Sequence, residues 1–233
     1  KVFDFGPVFR AEKSKTRRHL TEFWMMDAEM AFINLDDNMN VQEELIRHMV
    51  SAVLENNKAE LEILERDIKA LENTVKPFHK ITHTEAVKML QDMGSDIKDG
   101  EDLGADDETM LTKKFDNPIF VTHYPAKIKS FYMERNVNNH ELAECSDLLA
   151  PEGYGEIIGG SQREDDHDTL LQRLKEEKLS QEDFQWYLDL RKYGSVPHGG
   201  FGFGLERIVA WVCGIQHVRE TIPFPRTINR LKP

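Results

Sequence analysis

A short basic stretch near the start of the chain carries residue types that bind phosphate. The sequence FRAEKSKTRRHLTEF runs from Phe9 to Phe23 and groups arginine, lysine and histidine side chains. Alternation places Arg10 and Glu12 on one face of a predicted strand. A guanidinium donates a fork of hydrogen bonds to phosphate oxygens, and a phenyl ring can stack on a nucleobase. The stretch therefore suggests a site for a nucleoside polyphosphate, with an exposed basic turn as the alternative.

A glycine-rich segment, GFGFGLERIV at 200–209, is the second candidate. Its glycines alternate, so one face of a predicted strand lacks side chains and a flat ligand could lie against the backbone. Arg207 follows near the start of a predicted helix, where anions are favoured. The segment lacks the Lys-Ser/Thr pair of a P-loop. Close packing of a neighbouring strand is an equally good explanation of the glycines.

Two carboxylates form the third candidate. Asp147 and Glu156 lie on predicted neighbouring strands, and Arg163 follows Glu156 by seven positions on the same strand. Carboxylates placed together beside phosphates commonly hold Mg²⁺. Structural ion pairing is the alternative.

Composition limits the classes of protein to which the chain can belong. Its 233 residues suffice for one sizeable domain or for one domain with an insertion. The net charge of −12 argues against nucleic-acid binding driven by overall charge. No apolar run approaches the roughly 20 residues of a membrane span, so no membrane partner is expected. Two cysteines suit a reducing cytoplasm. The first residue is Lys1, so we expect a fragment of a longer protein.

The elements that must position these residues can be read from periodicity. Residues 1–35 predict two strands around the basic stretch, and the second strand alternates clearly. Its predicted core face carries Trp24, Met26, Ala28 and Met30, and its predicted cleft face carries Phe23, Met25, Asp27 and Glu29.

The rest of the chain mixes helices with strands. Residues 38–73 predict helix with a break at 56–58, and Thr82 with Glu85 has the spacing of a capping box. From residue 118 onward, PIFVTHYP, IKSFYME, AECSDLLAP and GEIIGGSQRE predict successive strands. This order predicts an α+β fold with a mostly antiparallel sheet.

The candidate segments resemble signature motifs of the class II aminoacyl-tRNA synthetases. FRAEKSKTRRHLTEF is similar to motif 2 and GGFGFGLERIV to motif 3, while EIIGGSQRE, WYLDLRKYGSVPHGGFGFGLER and IPFPR resemble asparagine-specific members of the aspartate/asparagine subgroup. The resemblance extends from Phe3 to Pro233. It implies a catalytic domain over residues 1–233, with the sheet flanked by helices and a largely helical insertion at 38–117. Motif 1 and the anticodon-binding domain are expected to lie before Lys1.

The resemblance also implies the roles of the basic and glycine-rich segments in binding ATP. Arg10 would bind the α-phosphate and the amino-acid carboxylate, and Glu12 would contact the adenine end. Phe23 would stack on adenine. His19 would lie near the γ-phosphate, and Arg207 would hold it and cover the other side of the base. Arg10 and Arg207 are therefore the expected catalytic residues.

Metal and amino-acid ligands follow in the same way. Asp147 and Glu156 match the family's Mg²⁺ ligands. Arg163 would donate to the side chain of the amino acid, and Asp27 would accept from its amide or ammonium group. Because Arg163 alone would favour aspartate, the negative charge of Asp27 and Glu29 is expected to favour the neutral asparagine.

The implied activity is ATP-dependent formation of asparaginyl-adenylate from asparagine, followed by transfer to tRNA(Asn). The full-length enzyme would be a cytoplasmic homodimer. One alternative is aspartate as substrate, in an aspartyl-tRNA synthetase or a paralogue that makes asparagine through aspartyl-adenylate. Another is a non-catalytic, synthetase-like binding module.

Overall fold

Nine strands and eight helices lie within residues 1–11 and 16–232, which are the residues that this computed structural model describes. The strands are β1 (Val2–Phe9), β2 (Glu22–Ala31), β3 (His79–Thr82), β4 (Ile119–Thr122), β5 (Arg135–Asn136), β6 (Asn139–Ala143), β7 (Cys145–Ala150), β8 (Gly155–Gln162) and β9 (His198–Gly204). The helices are α1 (Leu35–Asn56), α2 (Lys58–Ile63), α3 (Ile68–Glu72), α4 (His83–Asp92), α5 (Ala105–Thr112), α6 (His167–Glu176), α7 (Gln185–Lys192) and α8 (Leu205–Cys213). Within the same ranges, every helix is too short or too polar to span a lipid bilayer.

One large sheet organises the molecule. Its strand order is β1-β2-β9-β8-β7-β4-β3, and β5 pairs separately with β6. Neighbouring strands run antiparallel except β3 and β4, which are parallel. The predicted α+β fold with a mostly antiparallel sheet is confirmed. Because β2, β9 and β8 are neighbours in space, the sheet brings the basic stretch, the glycine-rich segment and the carboxylate-bearing strand together.

The main core lies between one face of the sheet and α1. Met26, Ala28 and Met30 of β2 pack there together with Phe201 and Phe203 of β9, and α8 joins the same cluster. Since side chains alternate along a strand, Gly200, Gly202 and Gly204 of β9 and the other set of β2 side chains face away from α1. The opposite face of these strands is therefore free to form a cleft.

A second core covers another part of that opposite face. Val121 of β4 and Leu149 of β7 pack with α4 and α5, whereas their neighbours Phe120 and Leu148 pack in the main core. The two cores therefore lie on opposite faces of the sheet. Helix α5 consequently borders the open part of the face, beside β7 and β8.

Local sequence signals account for the helix boundaries. The predicted capping box is present: the Glu85 backbone amide donates to Thr82 Oγ1 at 3.2 Å, and the Thr82 amide donates to the Glu85 carboxylate at 2.7 Å. The predicted break in the 38–73 helix is also confirmed, because α1 ends at Asn56 and α2 begins at Lys58.

The predicted core position of Trp24 is wrong. The residue lies on the expected face of β2, but it is 39% exposed, and its ring centroid lies 5.4 Å from that of Phe5. At this end of β2 the sheet is covered by the start of α8 instead of α1. The groove that remains is lined by Trp24, Leu205 and Val209 among others.

The strand predicted for IKSFYME is absent. Residues 126–128 form a single 3-10 turn, and Met133 makes only an isolated bridge with Arg163. Phe131 and Tyr132 are adjacent, yet both pack in the aromatic cluster of α6 and α7. Strand alternation cannot direct two successive side chains to one side, so this tertiary contact overrides the local preference.

Candidate active site

A cleft opens over β2, β9 and β8 on the face opposite α1. Residues that the sequence predicts as ligands of ATP or metal line it together: Arg10, His19, Phe23, Glu156 and Arg207. Glu12, another predicted ATP ligand, lies outside the described residues. The cleft thus joins parts of the chain that are far apart in sequence.

The alternating glycines of β9 make room for side chains of β2. Asp27 is opposite Gly202, and Glu29 is opposite Gly200. A Cβ atom on Gly202 would lie 2.3 Å from Asp27 Oδ1, and one on Gly200 would lie 2.4 Å from Glu29 Oε1. The face of β9 that lacks side chains therefore leaves room above its backbone for the carboxylates of Asp27 and Glu29.

Arg10 and Phe23 lie together at the mouth of the cleft. The guanidinium carbon of Arg10 is 5.2 Å from the centroid of the Phe23 ring, within the range of a cation–π contact. The backbone amide of Arg10 donates to the Thr21 carbonyl at 2.8 Å, which closes the base of the basic stretch. A forked donor thus lies beside an aromatic face, as binding of a nucleotide's phosphate and base requires.

Arg207 occupies the first turn of α8 and points into the cleft. Its Nη1 donates to Glu156 Oε2 at 2.8 Å and to the Glu156 carbonyl at 3.1 Å. Its Nε donates to the carbonyl of Arg18 at 3.4 Å. Arg207 therefore connects the basic stretch to the strand that carries the predicted metal ligand.

Asp147 and Glu156 approach the space above Gly159 from two sides. A Cβ atom on Gly159 would lie 3.1 Å from Glu156 Oε1 and 3.7 Å from Asp147 Oδ1. Their other oxygens accept from cations, with Lys129 Nζ 2.7 Å from Asp147 Oδ2 and Arg207 Nη1 at the far side of Glu156. One oxygen of each carboxylate therefore faces a shared space, which suits a hard cation. Among the described residues, no group of three or more His, Cys, Asp or Glu side chains could hold a metal, so Mg²⁺ here would also need phosphate or water ligands.

The pKa values of these two carboxyl groups shift in opposite directions. Burial raises the pKa of Asp147 to about 6; Lys129 opposes this rise and the negative charge of Glu156 adds to it. Burial also acts to raise the pKa of Glu156, but Arg207, together with Lys129 and Arg10, outweighs burial and lowers the pKa below its ordinary value. The two carboxylates therefore repel each other, and a bound cation would relieve this repulsion.

The other end of the cleft places a guanidinium among carboxylates. Arg163 donates to Glu29 Oε1 from Nε at 3.0 Å and from Nη2 at 2.6 Å, and its Nη1 donates to Ser161 Oγ at 2.6 Å. Burial raises the pKa of Asp27, and Asp4, directly opposite on β1, raises it further. The predicted amino-acid ligands Arg163 and Asp27 thus lie near each other, but Arg163 pairs with Glu29.

Part of the basic stretch is held against α5 at the edge of the cleft. Arg18 contacts Glu108 and donates from Nη2 to Thr109 Oγ1 at 2.6 Å and to the Gly153 carbonyl at 2.9 Å. Arg17 donates to the same carbonyl at 2.9 Å. Burial lowers the pKa of Arg18 and raises that of Glu108, while the attraction between the two groups opposes both shifts. These arginines fasten the base of the stretch to the body of the protein.

Several of these contacts could not be found from the sequence. Lys129 follows the short turn in the segment wrongly predicted to be a strand, and Glu108 is 90 residues away from Arg18. Ser161 is one of many polar strand residues. Only Glu29 carried a signal, because alternation along β2 already places it on the cleft face.

Comparison with known proteins agrees with this geometry. A family model described as tRNA synthetases class II (D, K and N) matches residues 1–228. The fold is similar to that of asparaginyl-tRNA synthetase from Pyrococcus horikoshii complexed with asparaginyl-adenylate, with 54% identity and a TM-score of 0.97 over 99% of this chain and 53% of that one.

Two proteins from Entamoeba histolytica are more distant. An asparaginyl-tRNA synthetase in complex with asparaginyl-adenylate is 34% identical, with a TM-score of 0.91 over 99% of this chain and 53% of that one. An aspartyl-tRNA synthetase is 32% identical, with a TM-score of 0.89 over 99% of this chain and 48% of that one. This chain thus spans about half the length of the solved structures that it matches. It belongs to the class II tRNA synthetases of the D, K and N group.

Proposed function

We propose that this protein activates asparagine with ATP to form asparaginyl-adenylate and transfers the asparaginyl group to tRNA(Asn). The observation that carries the choice of asparagine is the ion pair between Arg163 and Glu29 beside Asp27. An unpaired arginine would attract the side-chain carboxylate of aspartate. Here its charge is compensated by Glu29, and Asp27 would repel a second carboxylate. A neutral amide can accept from the guanidinium and donate to a carboxylate.

Each cation of the cleft would have a part in binding ATP. Adenine would stack on Phe23, the α-phosphate would lie near Arg10, and the outer phosphates would lie near His19 and Arg207. The predicted contact of Glu12 with adenine stays part of this proposal.

The chemistry requires no covalent enzyme intermediate. The asparagine carboxylate attacks the α-phosphorus; a new P–O bond forms while the bond to pyrophosphate breaks. Arg10 would stabilise the negative charge that develops at the α-phosphate, and the protein's contribution is position and charge. In the second step the terminal ribose hydroxyl of tRNA(Asn) attacks the asparaginyl carbonyl and releases AMP.

Asp147 and Glu156 are the residues that would hold Mg²⁺. Their two inward oxygens above Gly159 support this assignment. When bound, Mg²⁺ would neutralise part of the triphosphate charge. Lys129 and Arg207 hold the outer oxygens of the pair and so direct the inner oxygens toward the cleft.

We also propose a wider setting for the chain. Residues 1–233 would form the catalytic domain, with residues 38–117 as a largely helical insertion, in a longer cytoplasmic protein. Two unpaired cysteines support a reducing compartment. Exposed apolar side chains on the edge strand β1, such as Val2 and Phe3, support association into a homodimer.

Amino-acid-dependent exchange of pyrophosphate into ATP tests the function. The full-length protein should catalyse exchange with asparagine at a far higher kcat/KM than with aspartate. Preference for aspartate would favour the aspartyl-tRNA synthetase or paralogue alternative. Absence of exchange together with absence of ATP binding would favour a non-catalytic module.

A further inference from the structure

Glu108 belongs to α5, yet its carboxylate touches two parts of the proposed ATP site. Oε2 accepts a hydrogen bond from the Glu156 backbone amide at 2.9 Å and also contacts Arg18 Nη1. The Glu108 side chain is 15% exposed and that of Arg18 is 8% exposed. A charged contact so well shielded from water is screened far less than a surface ion pair.

These contacts close a ring around the inner end of the cleft. Glu108 contacts Arg18, and the Arg18 carbonyl accepts a hydrogen bond from Arg207. Arg207 also donates to the Glu156 carboxylate, and the Glu156 backbone amide donates to Glu108, which completes the ring. The ring contains two ion pairs, Glu108 with Arg18 and Glu156 with Arg207, and backbone groups of Arg18 and Glu156 join one pair to the other. Each charged group therefore has one oppositely charged partner, and removal of one member leaves its buried partner uncompensated.

The backbone is adapted to this contact at Gly155. Its φ is +75°, and a Cβ atom there would lie 2.3 Å from both Arg18 Nη1 and Glu108 Oε2. No other residue type could occupy the position without displacing the pair. Because Gly155 has no side chain, Arg18 and Glu108 can contact each other directly beside Glu156.

We propose that Glu108 is a positioning residue of the ATP site, which acts through Arg18 and the Glu156 backbone to hold the basic stretch and the Glu156–Arg207 pair in place. This inference rests on the proposed function. It assigns α5, distant in sequence from every motif that binds ATP, a part in nucleotide binding. It also gives the arginines of the basic stretch different roles, because Arg18 anchors the stretch so that Arg10 can reach the phosphates.

The main test is Glu108→Gln in the full-length protein. The substitution keeps the shape of the side chain and removes the charge that holds Arg18. The Kd of ATP with Mg²⁺ should rise about ten-fold, the loss expected for one charge-assisted hydrogen bond. The KM for asparagine should stay within about two-fold, since Arg163 and Asp27 are not in the ring. A residue that merely stabilised the fold would not separate the two substrates in this way.

Two further variants make the test specific. Asp106→Asn removes a carboxylate exposed on the same helix and should change neither value. Arg18→Gln combined with Glu108→Gln leaves no unpaired buried charge. Its effect on ATP affinity should be smaller than the sum of the two single effects, because both substitutions break one contact. If Glu108→Gln alone proves too unstable to measure, the double variant is compared directly with the wild type, and its Kd of ATP should rise while its KM for asparagine stays within about two-fold.

The outcomes separate this inference from the proposed function. Unchanged ATP affinity in Glu108→Gln, or additive effects in the double variant, would overturn the role of Glu108 even if asparagine is activated. A wild-type protein that does not activate asparagine, but whose ATP affinity depends on Glu108 as described, would refute the proposed function and leave the positioning role in place.

Discussion

Gly202→Ala tests whether the bare face of β9 exists to admit the carboxylate of Asp27. The new Cβ atom would lie 2.3 Å from Asp27 Oδ1 and 2.8 Å from Met25 Cε, closer than real Cβ contacts occur. Both of these atoms are at the ends of flexible side chains. We therefore expect Asp27 to swing away while the backbone of the sheet stays in place.

The expected cost to the fold is small and the cost to function is large. Overpacking of this kind lowers the free energy of unfolding by about 1–3 kcal/mol, and movable side chains place this variant near the lower value. Displacing Asp27 removes one charge-assisted hydrogen bond to asparagine, worth about 1.5–3 kcal/mol. The kcat/KM for asparagine in pyrophosphate exchange should therefore fall about ten- to a hundred-fold. The Kd of ATP should change little.

Two glycines of the same sheet provide matched controls. Gly6→Ala on β1 should be neutral, because nothing lies within 4 Å of its Cβ position. Gly200→Ala should chiefly destabilise the fold, by about 3 kcal/mol, since its Cβ would lie 2.3 Å from the backbone oxygen of Ala28, which cannot move alone. If Gly202→Ala keeps the wild-type kcat/KM for asparagine, Asp27 does not need the position that the glycine provides.

Phe23→Ala should weaken ATP binding by about 1–3 kcal/mol and leave the KM for asparagine unchanged, as expected for the loss of a stacking surface. Trp24→Ala is the control at the neighbouring position. Because 39% of the Trp24 surface is already exposed, the free energy of unfolding should fall by only about 1–2 kcal/mol. A loss of ATP affinity in this variant would contradict the observed register of β2. Arg10→Ala should abolish pyrophosphate exchange without lowering the melting temperature, because this side chain is exposed; exchange close to that of wild type would remove Arg10 from the α-phosphate. Asp27→Asn should admit aspartate. Because burial and a neighbouring aspartate raise the pKa of Asp27, the wild type should lose its selectivity for asparagine as the pH falls through that raised pKa, whereas the variant should not. If the variant has the same ratio of kcat/KM for asparagine to kcat/KM for aspartate as the wild type, selectivity lies elsewhere.

Local patterns in the sequence predicted much of the fold and one face of the site. The alternation along β2 assigns Phe23, Asp27 and Glu29 to the cleft because side chains of a strand alternate between its two faces. Thr82 and Glu85 mark the start of α4 because a capping box satisfies backbone amides only a few residues apart. The motif resemblance placed Arg10 and Arg207 in one predicted site, although Arg10 directly follows β1 and Arg207 lies in α8.

Other features depended on contacts that no local pattern contains. Trp24 follows the alternation of β2 and is still half-exposed, because exposure depends on what covers the sheet at that end. Phe131 and Tyr132 have strong strand preferences, yet packing against α6 and α7 prevents a strand.

The sequence by itself determined the class of fold, the alternating faces of the strands and the residue types that could bind a nucleotide. Only the tertiary structure decided which charges meet: Glu29 with Arg163, Lys129 with Asp147, and Glu108 with Arg18 across 90 residues of chain. The reason is physical. Periodicity and capping act over one or two turns of backbone. An ion pair between distant residues depends on sheet order, strand register and helix packing, which arise only when the whole chain has folded.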